Sequence, residues 1–362
     1  MRKKVLFTGG GTGGHVYPAL AVIEKLKEQD FKIFWLGSST GMEKRIIDQT
    51  GISFYSIPSG KLRRYFSFQN FTDIFKIIAG FFASLILLMK LRPDLVFSKG
   101  GFVTVPPVAA ASILRIPVFT HDSDIVPGLA TRINSVAADK VLLSSEVSKK
   151  YFSRRIGAKV FVTGNPVRSD FFKGDAERGK SLFNINRNKP VLLVMGGSSG
   201  AEQINKLLLD NLDKLTEKYY VIHQTGEKNF REITKENYYG AAYFHKDVAH
   251  LLAASDLVVS RAGASALWEF AAAALPSLLI PLESGSRGEQ VKNAELFRDF
   301  GCSKILRKEI SSETFMDSIE NIMDNKDTLN NMKQAAQKIS SNDSAAIISK
   351  MIIEVLNESC NY

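Results

Sequence analysis

Residues 256–269, DLVVSRAGASALWE, read as a buried strand from Asp256 to Ser260, a tight turn at Gly263 and a helix opening at Ala264. A helix start presents unpaired backbone N–H groups and the positive end of a dipole, which suits a diphosphate. Arg261 precedes the turn, and Ser265 and Glu269, at i and i+4, share one helix face. A phosphate held at the N-terminus puts the rest of a nucleotide near Glu269, whose carboxylate can accept two hydrogen bonds from a ribose diol. An ordinary strand–turn–helix with Glu269 on a solvated face has the same local pattern, so the surrounding chain must decide.

Outward from this stretch the same pattern recurs. Strand 190–195 (PVLLVM) runs into GGSSGA, Gly196 to Ala201, and a helix from Glu202. Strand 4–8 (KVLFT) runs into GGGTGGH, Gly9 to His15, and a helix to about Glu28. Between and after them lie short apolar runs at 31–37, 52–56, 93–98, 116–121, 140–144, 219–224, 241–244 and 277–281, interleaved with helical segments. That alternation predicts α/β domains with doubly wound parallel sheets. Two glycine-rich openings mark two similar domains, 1–163 and 189–341, with 164–188 as hinge because GNPVRSDF (164–171) disfavours helix. Residues 311–324 and 326–358 read as closing helices, the last segment, 342–362, packing back on the first domain.

The 362 residues carry 45% hydrophobic and 23% charged side chains, ordinary for a globular protein of this length. The net charge of +10 comes without a basic tail or a nucleic-acid motif, so phosphorylated ligands or a membrane surface fit better than nucleic acid. Cys302 and Cys360 are far apart and carry no metal spacing, which suits a reducing cytoplasm. MRKKVLFTGGG reads as a first strand rather than a signal peptide.

Gly9, Gly11 and Gly14 form G-x-G-x-x-G, but the second strand ends Leu36-Gly37-Ser38-Ser39-Thr40 without the acid a nicotinamide dinucleotide needs. The loop can still offer N–H groups and the Thr12 hydroxyl to phosphate. His15 stands where the first helix opens; the helix dipole disfavours imidazolium there, so a neutral His15 could take a proton from an attacking hydroxyl, or simply contact phosphate. Ser198 and Ser199 offer a second anion site; both glycine turns could equally serve helix packing alone. Asp122-Ser123-Asp124 leaves room for a divalent cation, but no other carboxylates accompany it, and a metal-independent reading is preferred. Gln290 and Asn293, at a helix start, could read sugar hydroxyls or merely cap a surface helix.

Segment 61–92, KLRRYFSFQNFTDIFKIIAGFFASLILLMKLR, departs from the pattern. Its uncharged run, Ile77 to Met89, is 13 residues, short of the ~20 a membrane span needs. Basic and aromatic residues flank it, so it reads as a helix or loop lying in an anionic membrane surface, or as a sheet-covering helix with a wet edge.

Taken in order, GGGTGGHVYPALAV, GGFVTVPP, HDSDIVPGL, GNPVR, GGSSGA, RAGASALWE and GEQVKNA closely resemble the MurG family of UDP-N-acetylglucosamine transferases, from about residue 4 to about 355. The resemblance implies a GT-B fold, two Rossmann-like domains facing across a cleft, and inverting transfer from UDP-N-acetylglucosamine to lipid I at the cytoplasmic membrane face, without a required cofactor or metal. It implies that Thr12, Gly13 and Gly14 touch the donor, with His15 the candidate base and Asp124 the runner-up. Arg168 and Ser198 would meet the diphosphate, Ala264, Ser265, Ala266, Leu267, Trp268 and Glu269 the nucleotide, and Gln290 and Asn293 the donor sugar. His245 would border the uracil. The chain departs from the family at Asp122 (usually Glu), Asp124 (Asn), Phe102 (Tyr), Glu289 (Gln or His) and His245 (apolar), which implies adjusted donor contacts. A diacylglycerol transferase of this fold, a UDP-sugar epimerase and a non-catalytic nucleotide-binding scaffold remain as other readings.

Overall fold

The computed structural model describes residues 2–60, 68–185, 188–196, 201–244, 246–283 and 288–358, the side chains of 68–71 excepted. The chain divides into two compact units: 1–168 with 343–362, and 169–342. The first unit thus runs on to Arg168 and takes the C-terminal helix.

The first unit holds a seven-stranded parallel sheet of β1 (Lys4–Thr8), β2 (Lys32–Ser38), β3 (Ser53–Ile57), β4 (Leu95–Ser98), β5 (Val118–Asp122), β6 (Lys140–Leu143) and β7 (Val160–Val162), in the order β3-β2-β1-β4-β5-β6-β7. Alternate side chains fill two cores, as a sheet covered on both faces requires. Val5, Phe7, Trp35 and Phe97 pack with Val22, Ile23 and Leu26 of helix Tyr17–Lys27 and with Ile348, Ile352 and Leu356 of helix Ser344–Glu358. On the other face Leu6, Leu36, Val96 and Val141 pack with Leu88 and Val108. Lys25 and Asp343 are paired at 3.0 Å where the last helix begins.

The second unit holds a six-stranded parallel sheet of β8 (Val191–Met195), β9 (Tyr220–Gln224), β10 (Tyr238–Ala241), β11 (Leu257–Ser260), β12 (Ser277–Leu279) and β13 (Ser303–Ile305), in the order β10-β9-β8-β11-β12-β13. The strand expected at 241–244 is shifted to Tyr238–Ala241, and the closing helical segment is broken into Lys326–Ile339 and Ser344–Glu358. Strands β7 and β13 were not foreseen; each is three residues long.

The units repeat a device. Asp94, just before β4, accepts from Lys4 N–H of β1 at 2.7 Å, and Asp256, just before β11, accepts from Val191 N–H of β8 at 2.9 Å. Each carboxylate ties the two strands at which the order of its sheet reverses. Ligands of open α/β sheets bind at such switch points, beyond the carboxyl ends of the strands. The loops there are 9–14 and 99–101 in the first unit, and 261–263 in the second.

Segment 61–92 forms helix Phe68–Leu91, with 61–67 outside the described residues. Its buried line is Asp73, Gly80, Ser84, Leu88 and Leu91, at helical spacing. Close approach to the Pro58 carbonyl requires glycine at position 80. The opposite side exposes Phe75, Ile78, Phe82, Ile86 and Met89. Thr72–Leu91 is long and apolar enough to cross a membrane by length and composition alone, yet one face is committed to its own domain.

Candidate active site

In the first unit, β1 ends at Thr8 and the chain turns through the glycine-rich loop into a short 3-10 turn, Gly13–His15, ahead of helix Tyr17–Lys27. On the other side of the switch point, β4 leads into Lys99, Gly100 and Gly101. Gly101 has φ +86°, and a Cβ there would strike the Gly10 carbonyl, so glycine is what lets the two loops touch. His15 is half-buried between them. Its Nδ1 lies 3.2 Å from the Lys99 carbonyl oxygen. A carbonyl only accepts, so Nδ1 carries the proton and Nε2 is the bare nitrogen. Burial, then the Lys99 ammonium, push the His15 pKa down to about 4, against the fields of Asp122 and Glu43. At neutral pH His15 is therefore an unprotonated base.

Lys99 is a residue that sequence reasoning missed. It is 1% exposed, and its Nζ donates to Ser123 Oγ at 2.7 Å. Ser123 Oγ in turn makes a short hydrogen bond to Asn165 Oδ1. Burial pushes the Lys99 pKa down to about 8, while Asp122 and Asp124 favour its charge. The Asp122 carboxylate is engaged by backbone: Oδ1 accepts from Asp124 N–H and Oδ2 from Gly128 N–H, both at 3.0 Å. Arg168, of GNPVR, lies over the Tyr17 ring at 5.0 Å, near the head of the first helix.

Glu43 occupies one backbone donor of the first loop. The acid missing from the end of β2 comes instead from helix Met42–Asp48. Fully buried, its carboxylate accepts from Ser38 N–H (3.0 Å), Ser38 Oγ (2.5 Å) and Gly11 N–H (3.2 Å). The Gly11 N–H is thus already satisfied within the protein and is not open to a dinucleotide diphosphate. Thr12 is exposed and Gly13 and Gly14 half-buried on the rim. A cavity of about 420 Å³ opens beside this loop, lined among others by Gly11, Ser38, Met42, Asp73, Lys76 and Phe102.

In the second unit, helix Ala264–Ala272 starts as the sequence indicates, after Gly263 in extended conformation and with no side-chain cap. Ser265, Ala266 and Glu269 are half-buried, whereas Ala264, Leu267 and Trp268 are buried, Trp268 edge-on to Phe297 at 5.4 Å. The run expected to hold nucleotide therefore splits: Leu267 and Trp268 turn their side chains into the core. Arg261 donates to the Ile280 carbonyl at 2.8 Å and to Gln203 at 3.0 Å. Asn293 is 2% exposed and its Nδ2 donates to the Ala262 carbonyl at 3.2 Å, holding the turn rather than presenting its amide on the surface. Gln290, half-buried, accepts from Leu282 N–H at 2.9 Å. Ser198 and His245 lie outside the described residues.

Two Rossmann-like units, each with loops at the switch point of its sheet, give the fold of the GT-B class. Residues 5–143 match the glycosyltransferase family 28 N-terminal domain and residues 191–348 the C-terminal domain of that family. The chain is 44% identical over 380 residues to the UDP-N-acetylglucosamine–N-acetylmuramyl-(pentapeptide) pyrophosphoryl-undecaprenol N-acetylglucosamine transferase of Treponema denticola, covering 97% of each. It is 41% identical to the protein of that name from Borreliella afzelii, covering 99% of this chain and 98% of the other. Among solved structures it resembles Acinetobacter baumannii MurG, with TM-score 0.74 and 25% identity over 97% and 99% of the two chains. The chain belongs to glycosyltransferase family 28 and, within it, to the MurG family.

Proposed function

We propose that this chain transfers N-acetylglucosamine from UDP-N-acetylglucosamine to the 4-hydroxyl of N-acetylmuramic acid in lipid I, with inversion, giving lipid II for peptidoglycan synthesis. The observation that carries the chemistry is His15, held neutral with Nε2 bare at the switch point of the first sheet. The relatives' name supplies the substrates. In one displacement the acceptor oxygen bonds to the anomeric carbon as the bond to UDP breaks, and the hydroxyl proton passes to His15 Nε2. Asp124 is the runner-up base. The N-terminus of helix Ala264–Ala272 and Arg168 offer positive charge to diphosphate. The reaction is read as metal-independent, because both Asp122 carboxylate oxygens already accept from backbone N–H groups, of Asp124 and Gly128.

The protein works as a peripheral enzyme on the cytoplasmic membrane face, with helix Phe68–Leu91 resting on anionic lipid. The exposed stripe Phe75, Ile78, Phe82, Ile86 and Met89, flanked by exposed Lys76, Lys90 and Arg92, supports this. Phe82→Glu with Ile86→Glu is expected to abolish co-sedimentation with vesicles containing anionic phospholipid, while transfer to a short-chain lipid I analogue persists. Unchanged sedimentation would remove this helix from the membrane.

The deciding experiment gives the purified protein radiolabelled UDP-N-acetylglucosamine and a lipid I analogue, with and without EDTA. Labelled lipid II in both conditions is the expected result. Product on diacylglycerol instead, or epimerised donor without acceptor, would move the activity to one of those reactions. The relatives' name speaks against both, and an epimerase has no use for a lipid-facing helix.

A further inference from the structure

We propose that Lys99 is a positioning residue for the transfer: its carbonyl fixes which His15 nitrogen is free, and its buried ammonium holds the loop carrying Asp124 through Ser123 and Asn165. This rests on the transferase reading above. An ammonium at 1% exposure, at the end of a strand whose four residues are all buried, is a costly choice for filling space. A methionine would occupy similar volume without the desolvation. What the charge adds is a directed chain. Lys99 Nζ can only donate, so Ser123 Oγ accepts from it and gives its own proton to Asn165 Oδ1. The chain ends on Asn165, whose Nδ2 is a buried donor without a partner among the described residues. One residue thereby ties together the loops after β4, β5 and β7, while its backbone N–H donates to the Thr8 carbonyl at the end of β1.

The charged and titratable groups around it are consistent with this. Asp122 and Asp124 face Lys99 from the end of β5 and the following loop and favour its charge. His121, also on β5, is kept neutral by burial and then by the Lys99 field. His15 feels Lys99 and Asp122, and Glu43 from helix Met42–Asp48.

The test is kcat against pH for the full chain and for Lys99→Met, Lys99→Arg and Ser123→Ala, with UDP affinity of each measured by calorimetry as the check of folding. The parent chain is expected to lose kcat above about pH 8, as Lys99 gives up its proton. Lys99→Arg, which stays charged, keeps its activity through that range. Lys99→Met and Ser123→Ala lower kcat about 10-fold or more at neutral pH with UDP affinity unchanged. Lys99→Met also moves the acid limb of the profile upward by about one unit, because the cation opposing His15 protonation is gone. A Lys99→Met or Ser123→Ala protein with the parent kcat and profile overturns the inference, as does a Lys99→Arg protein that keeps the alkaline decline. If neither Lys99 variant folds, Ser123→Ala decides alone, since it removes one hydroxyl and little volume. A parent chain that binds UDP but transfers nothing to lipid I would sink the transferase reading itself, a distinguishable result.

Discussion

His15→Ala is expected to lower kcat for transfer by about 10²–10⁴-fold while leaving UDP affinity near that of the parent. A positioned base is worth this much only if it is unprotonated at working pH and its free nitrogen is defined. Both conditions hold: Nδ1–H donates to the Lys99 carbonyl, and burial with the Lys99 charge drives the pKa to about 4. It follows that kcat of the parent chain should stay level as pH falls through 6.5, the ordinary midpoint of histidine, and decline only toward pH 4–5. Stability has the same sign. The unfolded chain binds the His15 proton from about pH 6.5 and the folded chain only near pH 4, so this residue's share of folding stability is full above 6.5 and is lost as pH falls between those values. Steady-state kinetics on His15→Ala and Asp124→Asn separate the two candidate bases. A His15→Ala enzyme with near-parent kcat and a raised KM for the acceptor would make His15 a binding residue and pass the role to Asp124.

How legible this site was depends on where each side chain's partner sits. The glycine-rich loops and the helix start at Ala264 were readable because N–H groups at a strand-to-helix turn are a local feature. The sheet order was not, although it alone explains why loops 9–14 and 99–101, far apart in sequence, meet around His15. Strands β7 and β13 escaped notice because three residues leave no periodicity to read. Lys99 looked like any loop lysine beside two glycines; its following directly on the apolar run Leu95–Ser98 was the signal that it is buried. Glu43 was invisible for a different reason. The search for an acid looked at the end of β2, whereas the carboxylate reaches the loop from the next helix. The burial of Asn293 and Trp268 was not legible either, because it depends on Phe297 and on the turn at Ala262, which the sequence does not place beside them.

Glu269→Ala is expected to weaken UDP binding by about 1–3 kcal/mol, roughly 5- to 150-fold, through loss of a charge-assisted pair of hydrogen bonds to the ribose diol. The geometry behind this is the split of helix Ala264–Ala272 into two sides. Leu267 and Trp268 anchor it in the core, Trp268 against Phe297, while Asn293 pins the preceding turn through the Ala262 carbonyl. That leaves Ser265 and Glu269, one turn apart, half-buried and on a shared face at the rigidly held helix start. A diphosphate at the helix N-terminus then sets the distance at which a ribose can reach the carboxylate, and a carboxylate can accept from both hydroxyls at once. Glu269→Gln sharpens the test: the amide retains one acceptor oxygen, so its loss should be smaller than that of alanine, and uridine alone should show the same ordering as UDP. Calorimetric titration reads all six pairs, UDP and uridine each against Glu269, Gln and Ala. Equal UDP affinity across Glu269, Gln and Ala would detach the ribose from this helix face, and with it the argument that the stretch 256–269 is built around a nucleotide.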